Sequence, residues 1–198
     1  MKILQINFLI REGSFGYSEK LDKILEEIAT AIYSIHWPEN STTFTLYPQK
    51  KGNGVVPIKK SCMESLVKDG WSLEKCMAIA SRVKPGKVDA IKKIKDGKYF
   101  AVEWETGNVS SSHRALNKMV IGLMDGILCG GILIIPSREM YKYLTDRIGN
   151  YAEIEPYFPI WRDVSVKKGV LAVIEVEHDE LSDRVPRILK RTDGRALK

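Results

Sequence analysis

Apolar residues recur at helical spacing in three long segments of the 198-residue chain. The first segment opens at Ser18, a suitable N-cap. The second follows the break at Gly52-Asn53-Gly54 and has Pro57 in its first turn. The third begins near Asn108 and ends at Gly126, where glycine suits the C-cap. The predicted apolar faces are Leu21, Ile24, Leu25, Ile28 and Ile32, then Ile58, Cys62, Leu66 and Val67, then Leu116, Met119, Val120 and Leu123.

Alternating or continuous apolar runs predict the strands. Residues 42–46 alternate and are rich in β-branched side chains, which indicates a short strand. Residues 88–94 and 98–106 are predicted to form a hairpin around a short turn. Residues 129–135 are apolar throughout, which is typical of a central strand covered on both faces. A last strand is predicted over residues 170–176.

The order of these elements predicts an α/β fold, a mixed central β-sheet flanked by helices on both sides. A further helix is predicted from Ser137, after Pro136, to about Asp146. Residues 1–13 fit the start of either a strand or a helix. Since no internal repeat divides the chain, its length favours one domain over residues 1–198.

Composition narrows the class of protein. No apolar run approaches the roughly 20 residues of a membrane span, and the N-terminus lacks the small-residue cleavage site of a secretory signal. The three cysteines, Cys62, Cys76 and Cys129, are an odd number without a CxxC pair. Neither a disulfide framework nor a zinc site is therefore expected. These features favour a reduced, cytoplasmic protein that does not bind membranes.

The charge distribution favours a polyanionic partner. A net charge of +6 is only weak support, because many proteins carry such a charge. Its distribution is more informative, since residues 184–198 contain many Lys and Arg side chains and a single acid, Asp193. This segment is either a basic C-terminal arm that contacts the polyanion or a solvated tail.

The clearest candidates for chemistry are three acids on the predicted hairpin. Asp89 lies on the first strand, and Glu103 and Glu105 flank Trp104 on the second. Residues two apart on a strand point to the same side, so the two glutamates share a face. Asp89 joins them only if the hairpin register pairs it with Glu103.

Two turns are compatible with the hairpin. A two-residue turn at Asp96-Gly97 pairs residue 89 with residue 104 and places Asp89 on the opposite face. A three-residue loop ending in a left-handed Gly97 pairs residue 94 with residue 98, and therefore 89 with 103. Because the longer loop needs glycine at its third position, and Gly97 is there, we predict the second register.

Three carboxylates at close range need a cation or several hydrogen-bond donors to stay ionised. Hard oxygen ligands with open positions suit Mg²⁺, which keeps waters and binds phosphate oxygens. Such an ion lowers the pKa of a bound water and stabilises the charge that develops on a scissile phosphate. The third carboxylate can orient or deprotonate that water. The simpler alternative is a solvent-facing row of acids, although most other residues of the strand are apolar.

Longer motifs carry a specific resemblance. The segments are TFTLYPQKKGNGVVPIK (43–59), VEWETGNVSSSHRALNK (102–118), YLTDRIGNYAEIEPYF (143–158) and a shorter TDG (192–194). In these motifs the chain closely resembles the BamHI family of type II restriction endonucleases, within the PD-(D/E)xK nuclease superfamily. With weaker similarity between them, the resemblance covers residues from about 36 to 158.

The resemblance implies an enzyme with a PD-(D/E)xK nuclease-like core. It implies a homodimer that cuts double-stranded DNA at the palindrome GGATCC, after the first G on each strand, and leaves 5′ GATC overhangs. Mg²⁺ is the implied cofactor, and Mn²⁺ is expected to substitute for it. The implied setting is the bacterial cytoplasm, as part of restriction–modification.

Carried over position by position, the resemblance implies separate roles for the acids. Asp89 and Glu103 are the expected metal-binding carboxylates, and the carbonyl of Trp104 is a further expected ligand. Glu105 stands where most of the superfamily has lysine, and it is the expected general base. Glu74, within WSLEK, matches an additional acidic residue of the family site.

The same resemblance implies a set of base-reading residues. Asp146 and Arg147 match the pair that reads an outer G·C, because arginine can donate two bonds to guanine while aspartate accepts from cytosine. The residues that match those facing the inner base pairs are Asn108, Ser110 and Arg114. Without the resemblance, Asp146 and Arg147 read as a surface ion pair, and the helix-start residues as caps.

The resemblance implies further DNA contacts in two other places. Asp193 and Gly194 match an arm that reaches the minor groove. Arg195 replaces a methionine of the family, and it is expected to add a phosphate or minor-groove contact. Lys59 matches a lysine near the active site, where a phosphate contact is expected.

The third predicted helix also gives independent support for a dimer. Ile121 and Met124 lie off its main apolar stripe, so a second face is partly apolar. One face can cover the sheet while the other meets a partner helix, and a palindromic site favours two-fold symmetry. The alternative is a helix buried wholly within one subunit.

Two other functions compete with a sequence-specific endonuclease. A cleavage-dead DNA-binding protein of the same fold would keep the base-reading residues, but all three core acids are present here. A structure-specific nuclease of the superfamily would not need the base-reading residues at 108, 146 and 147.

Overall fold

The computed structural model describes residues 1–80, 86–94, 97–145 and 147–190. At its centre is a six-stranded mixed sheet, in which three neighbouring strands run parallel and the outer pairs are antiparallel. In spatial order the strands are β1 (Lys2–Glu12), β7 (Gly169–Glu177), β6 (Leu128–Pro136), β5 (Tyr99–Trp104), β4 (Gly86–Lys93) and β3 (Ser72–Met77). A separate parallel pair joins β2 (Thr45–Leu46) to β8 (Glu180–Leu181).

Helices cover both faces of the sheet, as predicted. They are α1 (Glu19–Tyr33), α2 (Val56–Lys68), α3 (Val109–Met124), α4 (Arg138–Tyr141), α5 (Tyr151–Ile154) and α6 (Phe158–Arg162). One core lies between the sheet and α1 and α2, and the other lies between the sheet and α3, α5 and α6. Each fully buried aliphatic side chain in these cores stabilises the fold by about 1.5–3 kcal/mol. None of the helices in the described ranges is long and apolar enough to cross a membrane.

Caps at the ends of the long helices match the prediction. The Ser18 hydroxyl accepts a hydrogen bond from the backbone of Leu21 at 3.4 Å. The Asn108 carboxamide accepts one from Ser111 at 3.2 Å and begins α3. Gly126 follows α3 with a φ of 70°, the left-handed conformation that glycine tolerates best. Capping therefore fixes where α3 begins, next to the end of β5.

The hairpin of β4 and β5 has the predicted register. Ala90 pairs with Val102 and Lys93 with Tyr99, so positions 94 and 98 are opposite each other. Gly97 has the predicted left-handed conformation, with a φ of 74°. The other two residues of the predicted loop, 95 and 96, lie outside the described residues. The register therefore places Asp89 one position beyond the Ala90–Val102 pair, opposite Glu103.

Several boundaries differ from the prediction. The helix predicted over 137–146 ends at Tyr141, and the strand predicted over 42–46 contains only Thr45 and Leu46. Residues 2–12 form an edge strand, which resolves the alternative left open for the N-terminus. Val67, predicted on the apolar face of α2, is 47% exposed.

Some strands and helices have no clear hydrophobic pattern in the sequence that would predict them. β3 is a largely exposed edge strand, so it has no continuous apolar face to predict it. The short helices α5 and α6 are separated by a 3₁₀ turn, and prolines interrupt their pattern. Residues 184–190 of the predicted basic arm are described, whereas 191–198 lie outside the described residues.

Candidate active site

A cleft of about 890 Å³ opens where β4 and β5 separate, beside the first half of α3. The backbone ladder between the two strands ends at Ala90 and Val102, and polar side chains begin one position further along each strand. Among the predicted functional residues, those that line the cleft are Lys59, Asp89, Glu103, Trp104, Glu105, Ser110 and Arg114. Residues from α2, the hairpin and α3 are thus brought to one opening.

Asp89 and Glu103 replace the missing ladder with side-chain hydrogen bonds. The backbone N–H of Trp104 donates to Asp89 Oδ2 at 2.9 Å. The backbone N–H of Asp89 donates to Glu103 Oε2 at 3.3 Å. Each carboxylate is therefore held by the opposite strand, and the geometry of the pair is set by the hairpin backbone.

Two lysines reach this pair from opposite faces of the sheet. Lys59 of α2 lies 2.5 Å from Asp89 Oδ1. Lys118 of α3 lies 3.4 Å from Glu103 Oε1 and also donates to the backbone carbonyl of Lys87. Their side chains are 22% and 14% exposed, so solvent screens these contacts less than it screens surface ion pairs. Each carboxylate thus has its own cationic partner.

The pKa of Glu103 reflects its burial next to a second carboxylate. Burial raises the pKa of Glu103 to about 7, and the charge of Asp89 acts in the same direction. The nearby Lys118 and the Asp89 backbone N–H lower that pKa, but only in part. A site of this kind takes up either a proton or a further cation.

Glu105 lines the same cleft but lies in a different environment. It is 4% exposed, and its two oxygens accept hydrogen bonds from the Ser112 hydroxyl and from the backbone N–H of Gly107. Burial raises the pKa of Glu105 above its ordinary value, and these two hydrogen bonds oppose that shift. β5 ends at Trp104, so Glu105 directly follows the strand, and its burial and hydrogen bonds give it surroundings that differ from those of Glu103.

The donor set at the strand ends suits a hard divalent cation. Within the described ranges, no three or more His, Cys, Asp or Glu side chains are grouped around one potential metal position, so Glu105 does not complete a three-carboxylate cluster. Asp89 and Glu103 remain, with the backbone carbonyl of Trp104 next in the chain. Two carboxylates plus a carbonyl match the oxygen ligands of Mg²⁺, which fills its other positions with water.

Glu74 lies beside the pair without joining it. On β3 it falls between the pairs Leu73–Ala90 and Lys75–Val88, which places it next to Asp89 in the register. Its carboxylate lies 3.7 Å from Lys59 and 3.6 Å from Lys87, and its side chain is half exposed. Glu74 and Asp89 therefore share Lys59 as an ion-pair partner.

The predicted base-reading residues are only partly described. Arg114 and Ser110 are exposed at the cleft, whereas Asn108 caps α3 and does not line it. Arg147 is exposed. The remaining predicted DNA contacts, Asp146, Asp193, Gly194 and Arg195, lie outside the described residues.

A hydrogen bond connects the loop that carries Arg147 to the segment that follows β5. The backbone N–H of Gly149 donates to the carbonyl of Gly107 at 2.8 Å, and the N–H of Gly107 in turn donates to Glu105. A Cβ at Gly149 would lie 2.8 Å from the Ser112 hydroxyl, so the close packing requires glycine. The candidate base-reading loop therefore rests directly on the residues around Glu105.

Sequence reasoning missed Lys118 and Ser112. Lys118 lies four residues after Arg114 on α3, and this helical spacing was the available signal that both face the cleft. From the sequence, Ser112 was interpreted only as a possible cap of α3. The fold shows that its hydroxyl donates a hydrogen bond to Glu105. His113, the residue next to Ser112, packs edge-on against Tyr157 with ring centroids 4.5 Å apart.

The fold is that of a restriction endonuclease. The crystal structure of the restriction endonuclease BglII, complexed with a DNA 16-mer, has a TM-score of 0.67 over 90% of this chain and 79% of that chain. Since the two sequences are only 11% identical, this likeness concerns the fold alone.

Sequence comparisons then define the family. The family model "Restriction endonuclease BamHI" matches residues 1–195. The type II restriction enzyme OkrAI of Oceanobacter kriegii is 51% identical over 198 residues, all of both chains. The type II restriction enzyme BamHI of Bacillus amyloliquefaciens is 36% identical over 185 residues, or 87% of this chain and 84% of that one. The chain therefore belongs to the BamHI family of type II restriction endonucleases. Enzymes of this kind generally use a divalent metal ion.

Proposed function

We propose that the protein acts as a homodimer that hydrolyses double-stranded DNA at GGATCC, after the first G of each strand, with Mg²⁺ as cofactor. The observation that carries this proposal is the carboxylate pair at the open end of the hairpin. Asp89 and Glu103 are fixed by the backbone, lie in a cleft with Arg114 at its edge, and include a glutamate whose pKa is about 7. Such a pair favours a divalent cation next to a bound phosphate.

Asp89, Glu103 and the carbonyl of Trp104 would hold the metal, and Mn²⁺ is expected to substitute. When bound, the ion lowers the pKa of a water and stabilises charge on the scissile phosphate. The protein's own part is to fix the two carboxylates in advance through the N–H groups of Asp89 and Trp104. Lys59 and Lys118 lie beside the two carboxylates, where they would contact DNA phosphates.

Glu105 is the proposed general base. Its raised pKa brings it closer to the range in which a carboxylate accepts a proton efficiently near neutral pH. The hydrogen bonds from Ser112 and Gly107 fix its orientation at the cleft. Glu74 is proposed to support the site by sharing Lys59 with Asp89.

Base reading is proposed for the surface formed by α3 and the loop after α4. Arg114 and Ser110 would face the inner base pairs, with Asn108 at the start of the same helix. Asp146 and Arg147 would read the outer G·C, since an Asp–Arg pair matches the major-groove pattern of that base pair. The arm residues Asp193, Gly194 and Arg195 are proposed to contact the minor groove.

The second copy of the chain is proposed to cover the exposed apolar residues of α3 and its neighbours. Ile121 is 36% and Met124 63% exposed on α3, and Ile160 of α6 is 63% exposed. A two-fold interface here would match the symmetry of a palindromic site. We further propose the bacterial cytoplasm as the location.

The test is a digest of plasmid DNA that carries one GGATCC site. With protein and Mg²⁺, the expected product is linear DNA whose mapped ends carry 5′ GATC overhangs. A plasmid with one base pair of the site changed is the matched control and should remain circular. Tight, specific binding without cutting would instead support a cleavage-dead DNA-binding protein, and ends elsewhere would support a different nuclease.

A further inference from the structure

The break at Gly52-Asn53-Gly54 contains a fully buried amide that joins three parts of the chain. The Asn53 Nδ2 donates to the backbone carbonyls of Tyr47 and Tyr143, each at 2.9 Å. Its backbone N–H also donates to Tyr143 at 2.9 Å, and its Oδ1 accepts from the N–H of Ile188 at 3.2 Å. Asn53 is 0% exposed, so each of these bonds is shielded from water.

Neighbouring backbone bonds extend the junction on both sides. The N–H of Lys51 donates to the carbonyl of Lys142 at 2.8 Å, and the N–H of Gly54 donates to that of Ile188, also at 2.8 Å. Ile188 and Leu144 are each 1% exposed. Residues 51–54 therefore lie between residues 142–144 and the segment at 188, as a strand would lie between two neighbours.

The segments that meet at Asn53 lead to different functional elements. Arg147, the proposed base reader, follows Leu144 by three residues and is exposed. Ile188 belongs to the basic segment 184–198, the proposed arm. Helix α2 begins two residues after Gly54 and carries Lys59 to Asp89. The Asn53 side chain thus fixes the start of the base-reading loop relative to the root of the arm. The same segment leads into α2, whose Lys59 contacts the carboxylate pair.

We propose that Asn53 is a positioning residue for sequence discrimination, which holds the start of the base-reading loop and the root of the C-terminal arm at Ile188 in one arrangement. This inference rests on the proposed function. Only a carboxamide of this size supplies two donors for the carbonyls and one acceptor for the Ile188 N–H. Aspartate lacks the donors, and leucine lacks both, so no other side chain of similar size keeps all the bonds.

The test measures binding of full-length protein to a GGATCC duplex and to duplexes with one base pair changed, without Mg²⁺. We expect Asn53→Ala to lower the ratio of specific to mismatched binding about tenfold, the effect of one lost base contact. Combining it with Asp193→Ala should give a loss smaller than the sum of the two single effects, since Asn53 acts in part through the arm that carries Asp193. Asn7→Ala removes an amide with two side-chain partners at the sheet edge and should leave the ratio unchanged.

The outcomes separate this inference from the proposed function. A wild type that binds all duplexes alike contradicts both. A discriminating wild type with an equally discriminating, folded Asn53→Ala variant contradicts the inference alone, and so do fully additive effects of Asn53→Ala and Asp193→Ala. If Asn53→Ala does not fold, Ile188→Ala removes the buried anchor of the arm instead. It must then show the same loss of discrimination for the inference to stand.

Discussion

Glu103 lies on β5, Glu105 directly follows that strand, and both line one cleft, yet their surroundings differ. Glu103 is bonded to the opposite strand and to Lys118, beside a second carboxylate. Glu105 is bonded to a hydroxyl and a backbone N–H at the start of α3, and it is almost fully buried. The first environment suits a cation, and the second holds a single carboxylate in a fixed orientation. This difference supports the proposal that Glu103 binds the metal ion and that Glu105 acts as the general base.

Removing the charge of Glu103 should have the largest effect. Glu103→Gln keeps the shape of the side chain but leaves Asp89 as the lone carboxylate of the pair. We expect cleavage to fall by about a thousandfold or more, because loss of the ion removes several kcal/mol of charge stabilisation. Single-turnover cleavage of a GGATCC duplex measures this. Glu64→Gln, on the exposed side of α2, is the matched control, and equal activity of Glu103→Gln and wild type would refute the assignment.

Glu105→Ala should also stop efficient cleavage, by about 10²–10⁴-fold, as expected for loss of a general base. In contrast to Glu103→Gln, it should leave divalent-metal affinity close to that of the wild type. Isothermal titration of Mn²⁺ into each protein makes the comparison. Equal loss of metal affinity in both variants would show that the two glutamates share one metal site after all.

The free energy of unfolding should depend on pH because burial raises the pKa values of Glu103 and Glu105. The pKa of Glu103 is raised from 4.5 to about 7, so between these values the folded state holds a proton that the unfolded chain has lost. Stability therefore falls as pH rises through this window. Glu105 adds to the slope in the same direction. Thermal unfolding across the window should show a shallower decline in Glu103→Gln than in the wild type, and an unchanged slope would argue against the buried, acid-paired environment.

Replacing Lys118 should have the smallest effect, and it should raise the affinity for the metal ion while it lowers the rate of cleavage. Lys118→Met removes an ammonium group that competes with the ion for Glu103. We expect metal affinity without DNA to rise about fivefold, in the range of a partly buried ion pair, while cleavage slows. Lys60→Met, on the exposed face of α2, is the control. Weaker metal binding by a folded Lys118→Met variant would count against competition.

Turn and helix-capping preferences of single residues predicted the hairpin register and the ends of α3, which together position this site. Gly97 set the hairpin register, because only the three-residue loop uses a left-handed third position, and Asn108 with Gly126 marked the ends of α3. The separate environments of the two glutamates were not predictable in this way. They depend on tertiary packing that brings Ser112 to Glu105 and Lys118 to Glu103.

Local sequence patterns also failed to predict the contacts of Asn53 and the edge strand β3. The sequence marked Gly52-Asn53-Gly54 as a break, but its bonds run to residues 90 and 135 positions away, which no local pattern reveals. Strand β3 lacks an apolar face because it is an exposed edge. The helix expected to reach residue 146 ends at Tyr141. Beyond that end, the backbone carbonyl of Tyr143 accepts hydrogen bonds from Asn53.

The proposed division of roles between the two glutamates can be tested directly with Mn²⁺. Crystals of the protein with a GGATCC duplex and Mn²⁺ would give an anomalous-scattering peak at each bound ion. We predict a peak in contact with both Asp89 and Glu103, with the Glu105 carboxylate still bonded to Ser112. A peak coordinated by Glu105 without Glu103, or no ion at the pair, would contradict the account.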